Sequence, residues 1–260
     1  MKKRKVGVFV ESFRLPTRDG IKKAAELGVD GIQFFCTWGE LTPEKMTGTA
    51  RKDLKGFVAS QGLALASICC DYGRSYMNPA TNDETVEMAR KSIDLAVDLG
   101  TKVLTTHIGT IPDDGKAAAW KAGVEALRAV SAYAESRGVV FAAETGPEAP
   151  AVMRRFFDEI GTRGIGANYD PANLVMGGFD QLGGVDLLGK YIVHTHAKDG
   201  VRVNGQAKEV PLGEGAVDFP RYLAKLDAVG FDGFLTIERE VGENPASDVA
   251  QAVKFLRGLK

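Results

Sequence analysis

The chain has 260 residues, 44% of them hydrophobic and 26% charged, with a net charge of −1. That length is enough for one domain with a sizeable core, and it is near the size of a single eight-stranded α/β barrel. The near-neutral balance argues against a nucleic-acid partner held by bulk electrostatics. No apolar run approaches the roughly 18 residues that a membrane-spanning helix needs.

Short apolar runs alternate with amphipathic stretches eight times along the chain. The first strand is expected at Lys5–Val10 and a helix at Thr17–Leu27, closed by Gly28. A second strand is expected at Gly31–Phe35, then a helix opened by Pro43 and running to about Ser60. The third strand, Leu63–Cys69, leads through a loop to a helix from Asn82 to Leu99, stopped by Gly100. The fourth strand is Val103–His107 and its helix Lys116–Arg137. The fifth strand, Val139–Ala143, ends at Glu144 and is followed by a helix at Pro147–Ile160. The sixth, Ile165–Tyr169, ends at Asp170, with a short helix at Asp180–Leu188. The seventh is Tyr191–Asp199, which carries His194 and His196 two residues apart and therefore on one strand face. A long polar loop, Gly200–Val217, precedes a helix at Asp218–Val229. The eighth strand, Phe234–Ile237, ends at Glu238, and the last helix is Ala246–Leu259.

Apolar runs without strict alternation indicate strands buried on both faces, and the intervening helices indicate parallel crossovers. Eight such units predict a (β/α)₈ TIM barrel forming a single domain over residues 1–260. A doubly wound open sheet is the alternative, but no Gly-x-Gly-x-x-Gly follows the first strand. The cysteines, Cys36, Cys69 and Cys70, are too few and oddly placed for a disulfide framework. The basic start, Met1 to Lys5, is followed by too short an apolar run for a signal peptide. The expected location is the cytoplasm.

In a barrel of this kind the chemistry gathers at the C-terminal ends of the strands. Four of the later ends carry metal-ligand side chains: Glu144, Asp170, His196 and Glu238. They lie 26, 26 and 42 residues apart, so only a fold can unite them. Three carboxylates and one imidazole make an oxygen-rich site suited to one divalent ion such as Mn²⁺, Mg²⁺, Co²⁺ or Zn²⁺. Each residue also has a plain structural reading. Glu144 can cap the helix near Pro147, Asp170 can hold the turn at Pro171, His196 can bond in the rim, and Glu238 can belong to a solvated charged segment. Their joint placement at successive strand ends favours the metal, because like charges crowded into a barrel mouth need a cation. His107, His194 and Glu240 are candidates for supporting this site or contacting substrate, with rim packing as the alternative. Phe13, Phe35 and Trp38 are candidates for an apolar wall, although Phe35 fits core packing better.

The segments Glu144-Thr-Gly, Asn168-Tyr-Asp-Pro-Ala-Asn-Leu174, His194-Thr-His-Ala-Lys-Asp199, Leu212-Gly-Glu-Gly215 and Leu235-Thr-Ile-Glu238 resemble the xylose-isomerase-like barrel superfamily. Within it they resemble the sugar (and sugar-phosphate) isomerase/epimerase branch, which includes ketose 3-epimerases and inosose dehydratases. The resemblance implies one divalent metal held by Glu144, Asp170, His196 and Glu238. It also implies that Glu144 and Glu238 act as an acid/base pair on a sugar or keto-sugar, through an enediolate. Lys198 and, after the seventh strand, Arg202 become candidates for holding a hydroxyl or phosphate. Ketose epimerases typically place a histidine three residues after the metal aspartate, and here that position is Asn173. An amide bonds a hydroxyl but carries no proton. Inosose-type dehydration and non-catalytic sugar binding are therefore the competing expectations. The superfamily also contains zinc endonucleases, whose trinuclear site needs many more histidines than the three present here. Family members are often dimers or tetramers, so a second copy of the chain is a further candidate partner.

Overall fold

The computed structural model describes residues 4–259. Eight parallel strands close into a barrel in the order β1 (Lys5–Phe9), β10 (Phe234–Ile237), β7 (Ile192–Ala197), β6 (Ile165–Tyr169), β5 (Val140–Glu144), β4 (Val103–Thr106), β3 (Ala64–Cys69) and β2 (Gly31–Phe35). Helices α1 (Thr17–Glu26), α2 (Gly48–Ser60), α3 (Asn82–Leu99), α4 (Ala118–Ser136), α5 (Pro150–Ile160), α7 (Gln181–Leu188), α8 (Phe219–Ala228) and α9 (Pro245–Gly258) lie outside it. This is the expected (β/α)₈ barrel. The strands are buried on both faces, all five residues of β6 being enclosed, which explains their continuous apolar runs. The helices turn Ile21, Leu54, Ile93, Leu127, Phe156, Leu226 and Val249 inward onto them. Each fully buried side chain of this size stabilises by about 1.5–3 kcal/mol. Cys36, Cys69 and Cys70 are buried and unpaired.

Several boundaries differ from expectation, each for a local reason. The second helix starts at Gly48 because Thr47 caps it, its Oγ1 accepting from Ala50 N at 3.2 Å. Pro43 stays in the preceding turn, its carbonyl bound by Arg51. The fifth helix starts at Pro150, since Glu148 is buried and takes its carboxylate to Ile111 N at 3.3 Å. A short helix absent from the sequence reading, α6 (Pro171–Gly177), follows β6 directly, with Asp170 as its cap and Pro171 at its first position.

The expected polar loop at 200–217 is largely a hairpin, β8 (Asp199–Val203) pairing antiparallel with β9 (Gln206–Val210). Its turn is Asn204-Gly205, both at positive φ (51° and 80°), the pairing that suits a two-residue hairpin. Alternation of Val201 and Val203 with polar neighbours was the sequence signal for it. The remainder, Leu212-Gly-Glu-Gly215, wraps the carboxylate of Asp199. Asp199 accepts from the backbone N–H of Gly200, Gly213, Gly215 and Val217 at 2.8–3.1 Å. A Cβ at Gly215 would fall 2.0 Å from Asp199 Oδ1, so this approach requires glycine.

Candidate metal centre

Four consecutive barrel staves, β5, β6, β7 and β10, bring the predicted ligands together. Glu144 is the last residue of β5, Asp170 and Glu238 directly follow β6 and β10, and His196 lies within β7. One donor atom from each falls within 4.8 Å of all the others. His196 Nδ1 is 3.5 Å from Glu144 Oε1, 3.8 Å from Asp170 Oδ2 and 3.3 Å from Glu238 Oε2. For Asp170, the capping and ligand readings both hold. Its Oδ1 accepts from Ala172 N and Asn173 N, while its buried Oδ2 has no hydrogen-bond partner. An orphaned carboxylate oxygen among two further carboxylates and an imidazole nitrogen fits a hard or borderline divalent cation.

A polar layer across the barrel interior aims these ligands. Gln33, on β2, accepts at its Oε1 from His196 Nε2 (3.2 Å) and His194 Nε2 (3.0 Å), and its Nε2 donates to Thr105 Oγ1 (2.9 Å). With the proton on Nε2 of each imidazole, one amide oxygen accepts both contacts and His196 Nδ1 faces the carboxylates; the Asn168 amide lies 3.2 Å from the same His196 Nε2. Asn168 donates to Glu144 Oε2 at 3.0 Å, and Asn173 Nδ2 donates to Glu144 Oε1 at 2.9 Å and Thr145 O at 3.2 Å. Gln33 and Asn168 escaped the sequence reading. The clue for Gln33 was a lone amide within the apolar strand Gly31–Phe35, and Asn168 sat unremarked inside the motif that ends in Asp170.

The ammonium of Lys198, 2% exposed, donates to Glu238 Oε2 at 2.9 Å and to Glu240, and lies 3.8 Å from Asp170 Oδ2. Burial works against its charge, but Glu238 and Asp170 outweigh that and raise its pKa. Burial likewise pushes the Glu238 carboxyl up, and His196 and Lys198 more than reverse it, leaving it below the usual range. The His196 pKa is raised, burial being outweighed by Glu238 and Glu144. His107 stands half exposed at the mouth, its Nδ1 2.9 Å from Asp71 and its Nε2 3.7 Å from Glu144. Glu144 first and then Asp71 raise its pKa to about 9.

Arg202 and Asn173 are placed differently from expectation, and of the two readings of His194 the supporting one holds. His194 lies beneath the cluster, enclosed, touching Gln33 and Ser67, where it supports the layer and has no surface to offer a substrate. Burial, and then His196, depress its pKa. Arg202 sits on the hairpin and donates to Met176 O at 2.6 Å, which ties β8 to α6. Asn173 spends its amide on Glu144 and Thr145. Trp38 is half exposed and packs at a tilt on Phe35 (centroids 4.4 Å), which packs at a tilt on Phe9 (4.6 Å), which in turn packs on His196 (5.9 Å). Phe13 is buried in the core, 3% exposed.

A family model described as xylose isomerase-like TIM barrel matches residues 21–259. The chain belongs to that family. Among similar proteins of this xylose isomerase-like barrel, an uncharacterised protein of Methanocaldococcus jannaschii is 27% identical over 72% of this chain, and this match spans 66% of that protein's length. An inosose dehydratase of Geobacillus thermodenitrificans is 23% identical over 79% of this chain and 80% of its own. Among solved structures, a xylose isomerase domain protein from Planctomyces limnophilus superposes with a TM-score of 0.85 at 22% identity, covering 99% of this chain and 98% of the other. A D-psicose 3-epimerase superposes with a TM-score of 0.79 at 13% identity, covering 98% and 99%. No helix among the described residues is long and apolar enough to cross a membrane.

Proposed function

We propose that this xylose isomerase-like barrel is a divalent-metal-dependent isomerase or epimerase of a sugar or keto-sugar, working through an enediolate. The observation that carries the reading is the convergence of Glu144, Asp170, His196 and Glu238, with Asp170 Oδ2 buried and without a hydrogen-bond partner, its nearest cations being 3.8 Å away. These four residues would hold the ion, which when bound supplies Lewis-acid stabilisation of charge developing on a substrate oxygen.

Glu144 and Glu238 come from the outermost of the four staves and so flank the cluster. One removes the proton beside the carbonyl and the other returns one. Glu238 is prepared as the base, since His196 and Lys198 keep it ionised despite its burial. Glu144 is held by the amides of Asn168 and Asn173, and His107 links it to the open mouth. The side chains of Phe9 and Phe35 form an apolar wall of the cavity that adjoins Glu238.

A second reading, loss of a β-hydroxyl from the same enediolate, is favoured by Asn173. Its amide is committed to Glu144 and Thr145, and it cannot move a proton. The test is incubation of the metal-loaded protein with ketoses, inososes and 3-keto sugars in deuterated water. Deuterium incorporation should occur in the wild type and vanish in Glu144→Gln and Glu238→Gln while both variants stay folded. Incorporation retained in both variants refutes the two-glutamate scheme. Appearance of an unsaturated carbonyl product assigns the dehydratase reading.

A further inference from the structure

Beyond Glu238 the barrel mouth has a different character. A cavity of about 240 Å³ adjoins Glu238 and is lined by Phe9, Glu11, Ser12, Arg14, Phe35, Glu238, Arg239 and Glu240. All of these rise from three adjacent staves, β10, β1 and β2. Among the described residues five large apolar side chains are strongly exposed. Three of them, Leu15, Trp38 and Val241, lie in the loops that leave these same three staves, and a fourth, Val203, is on the hairpin that follows β7. From the surface inward, Trp38, Phe35 and Phe9 form a continuous aromatic succession that ends on His196.

The charges beside this cavity are unsuited to a phosphate. Arg14 gives Nη1 to Gly242 O (2.9 Å) and Nη2 to Glu240 O (3.2 Å). Arg239 is held by Glu209 at 2.7 Å and Asp248 at 2.8 Å. Lys198 is held by Glu238 and Glu240. Each nearby cation thus has partners already, while Glu238 and Glu240 present carboxylates to the same space. A phosphate ester here would meet like charge with no uncommitted guanidinium to receive it.

Resting on the functional reading above, we infer that the substrate is a neutral sugar or keto-sugar carrying an apolar, planar substituent. The sugar lies over the metal cluster and its substituent on the Trp38–Phe35 face. An aromatic contact of this kind contributes about two- to tenfold in affinity. The substituent selects the substrate; the proton chemistry stays with the two glutamates.

The experiment measures binding to the Mg²⁺-loaded protein by calorimetry, independently of turnover. The probes are phenyl and methyl glycosides of the same sugars (glucose, galactose and xylose), with glucose 6-phosphate as the charged comparison. The phenyl member of at least one pair should bind about two- to tenfold more tightly than its methyl partner. Trp38→Ala should bring that ratio close to one, and Trp38→Phe should retain most of it. Equal affinities within every pair, tighter binding of the phosphate, or no phenyl glycoside bound at millimolar concentration overturns the inference. So does a ratio unchanged in Trp38→Ala, or a dimer that dissociates on Trp38→Ala, which would assign the apolar rim to a second copy of the chain. Discrimination between phenyl and methyl without any deuterium exchange would sink the isomerase reading and leave the recognition surface standing. The converse result would do the opposite.

Discussion

Gln33→Leu tests whether the metal centre is built from beneath. Leucine approximates the volume but deletes three hydrogen bonds, two accepted from the Nε2 atoms of His196 and His194 and one donated to Thr105. Both imidazoles are enclosed at 1% exposure, so water does not replace the lost acceptor. A buried donor left unsatisfied costs about 1–3 kcal/mol, and two such donors, partly offset by the apolar gain of leucine, place the loss near 3 kcal/mol. Removing the partner that orients a ligating histidine typically lowers metal affinity about 10- to 100-fold. Urea unfolding of the metal-free protein reads the first quantity, and competition with a chromogenic chelator reads the second. If stability falls as expected while metal affinity stays within about twofold, Gln33 is a packing residue and does not aim His196.

The other expectations concern charge. Prolonged chelation should abolish turnover, and added divalent metal should restore it; activity unaffected by exhaustive chelation refutes the metal reading. Lys198→Met removes the ammonium that offsets Glu238, Glu240 and Asp170, which costs the metal-free protein about 3–5 kcal/mol. A bound divalent ion compensates much of this, so the rise in melting temperature on adding metal should be larger in the variant than in the wild type, as differential scanning calorimetry would record. Glu11 is raised by burial from 4.5 to about 7. The folded state then binds the proton more tightly than the unfolded state, and this contribution to stability is complete below pH 4.5 and is lost as pH rises through 7. Glu11→Gln should therefore match the wild type near pH 4 and exceed it by about 2–3 kcal/mol at pH 8, measured by denaturant unfolding across that range. Asp199→Ala strips four backbone donors of their acceptor and should cost about 3–5 kcal/mol, with early hydrogen exchange confined to residues 199–217.

The barrel and the four residues that converge at its mouth were legible in the chain itself. Strands buried on both faces are mostly apolar, and charged groups gather towards their C-terminal ends, so Glu144, Asp170, His196 and Glu238 stood out at the expected places. The hairpin was missed: Asn204-Gly205 signalled its turn, but the polarity of its outer residues resembled a loop. Contacts between distant staves were not legible. Gln33 meets His194 across 161 positions and His196 across 163. Lys198, two residues from His196, looked like a group for substrate and instead lies against Glu238, which only the pairing of β7 beside β10 could decide. Local patterning determines which residues occupy strand ends, because burial and periodicity act within a few residues. Which of those ends face one another, and which side chain neutralises which, depends on the closure of the barrel, and no local interaction encodes that.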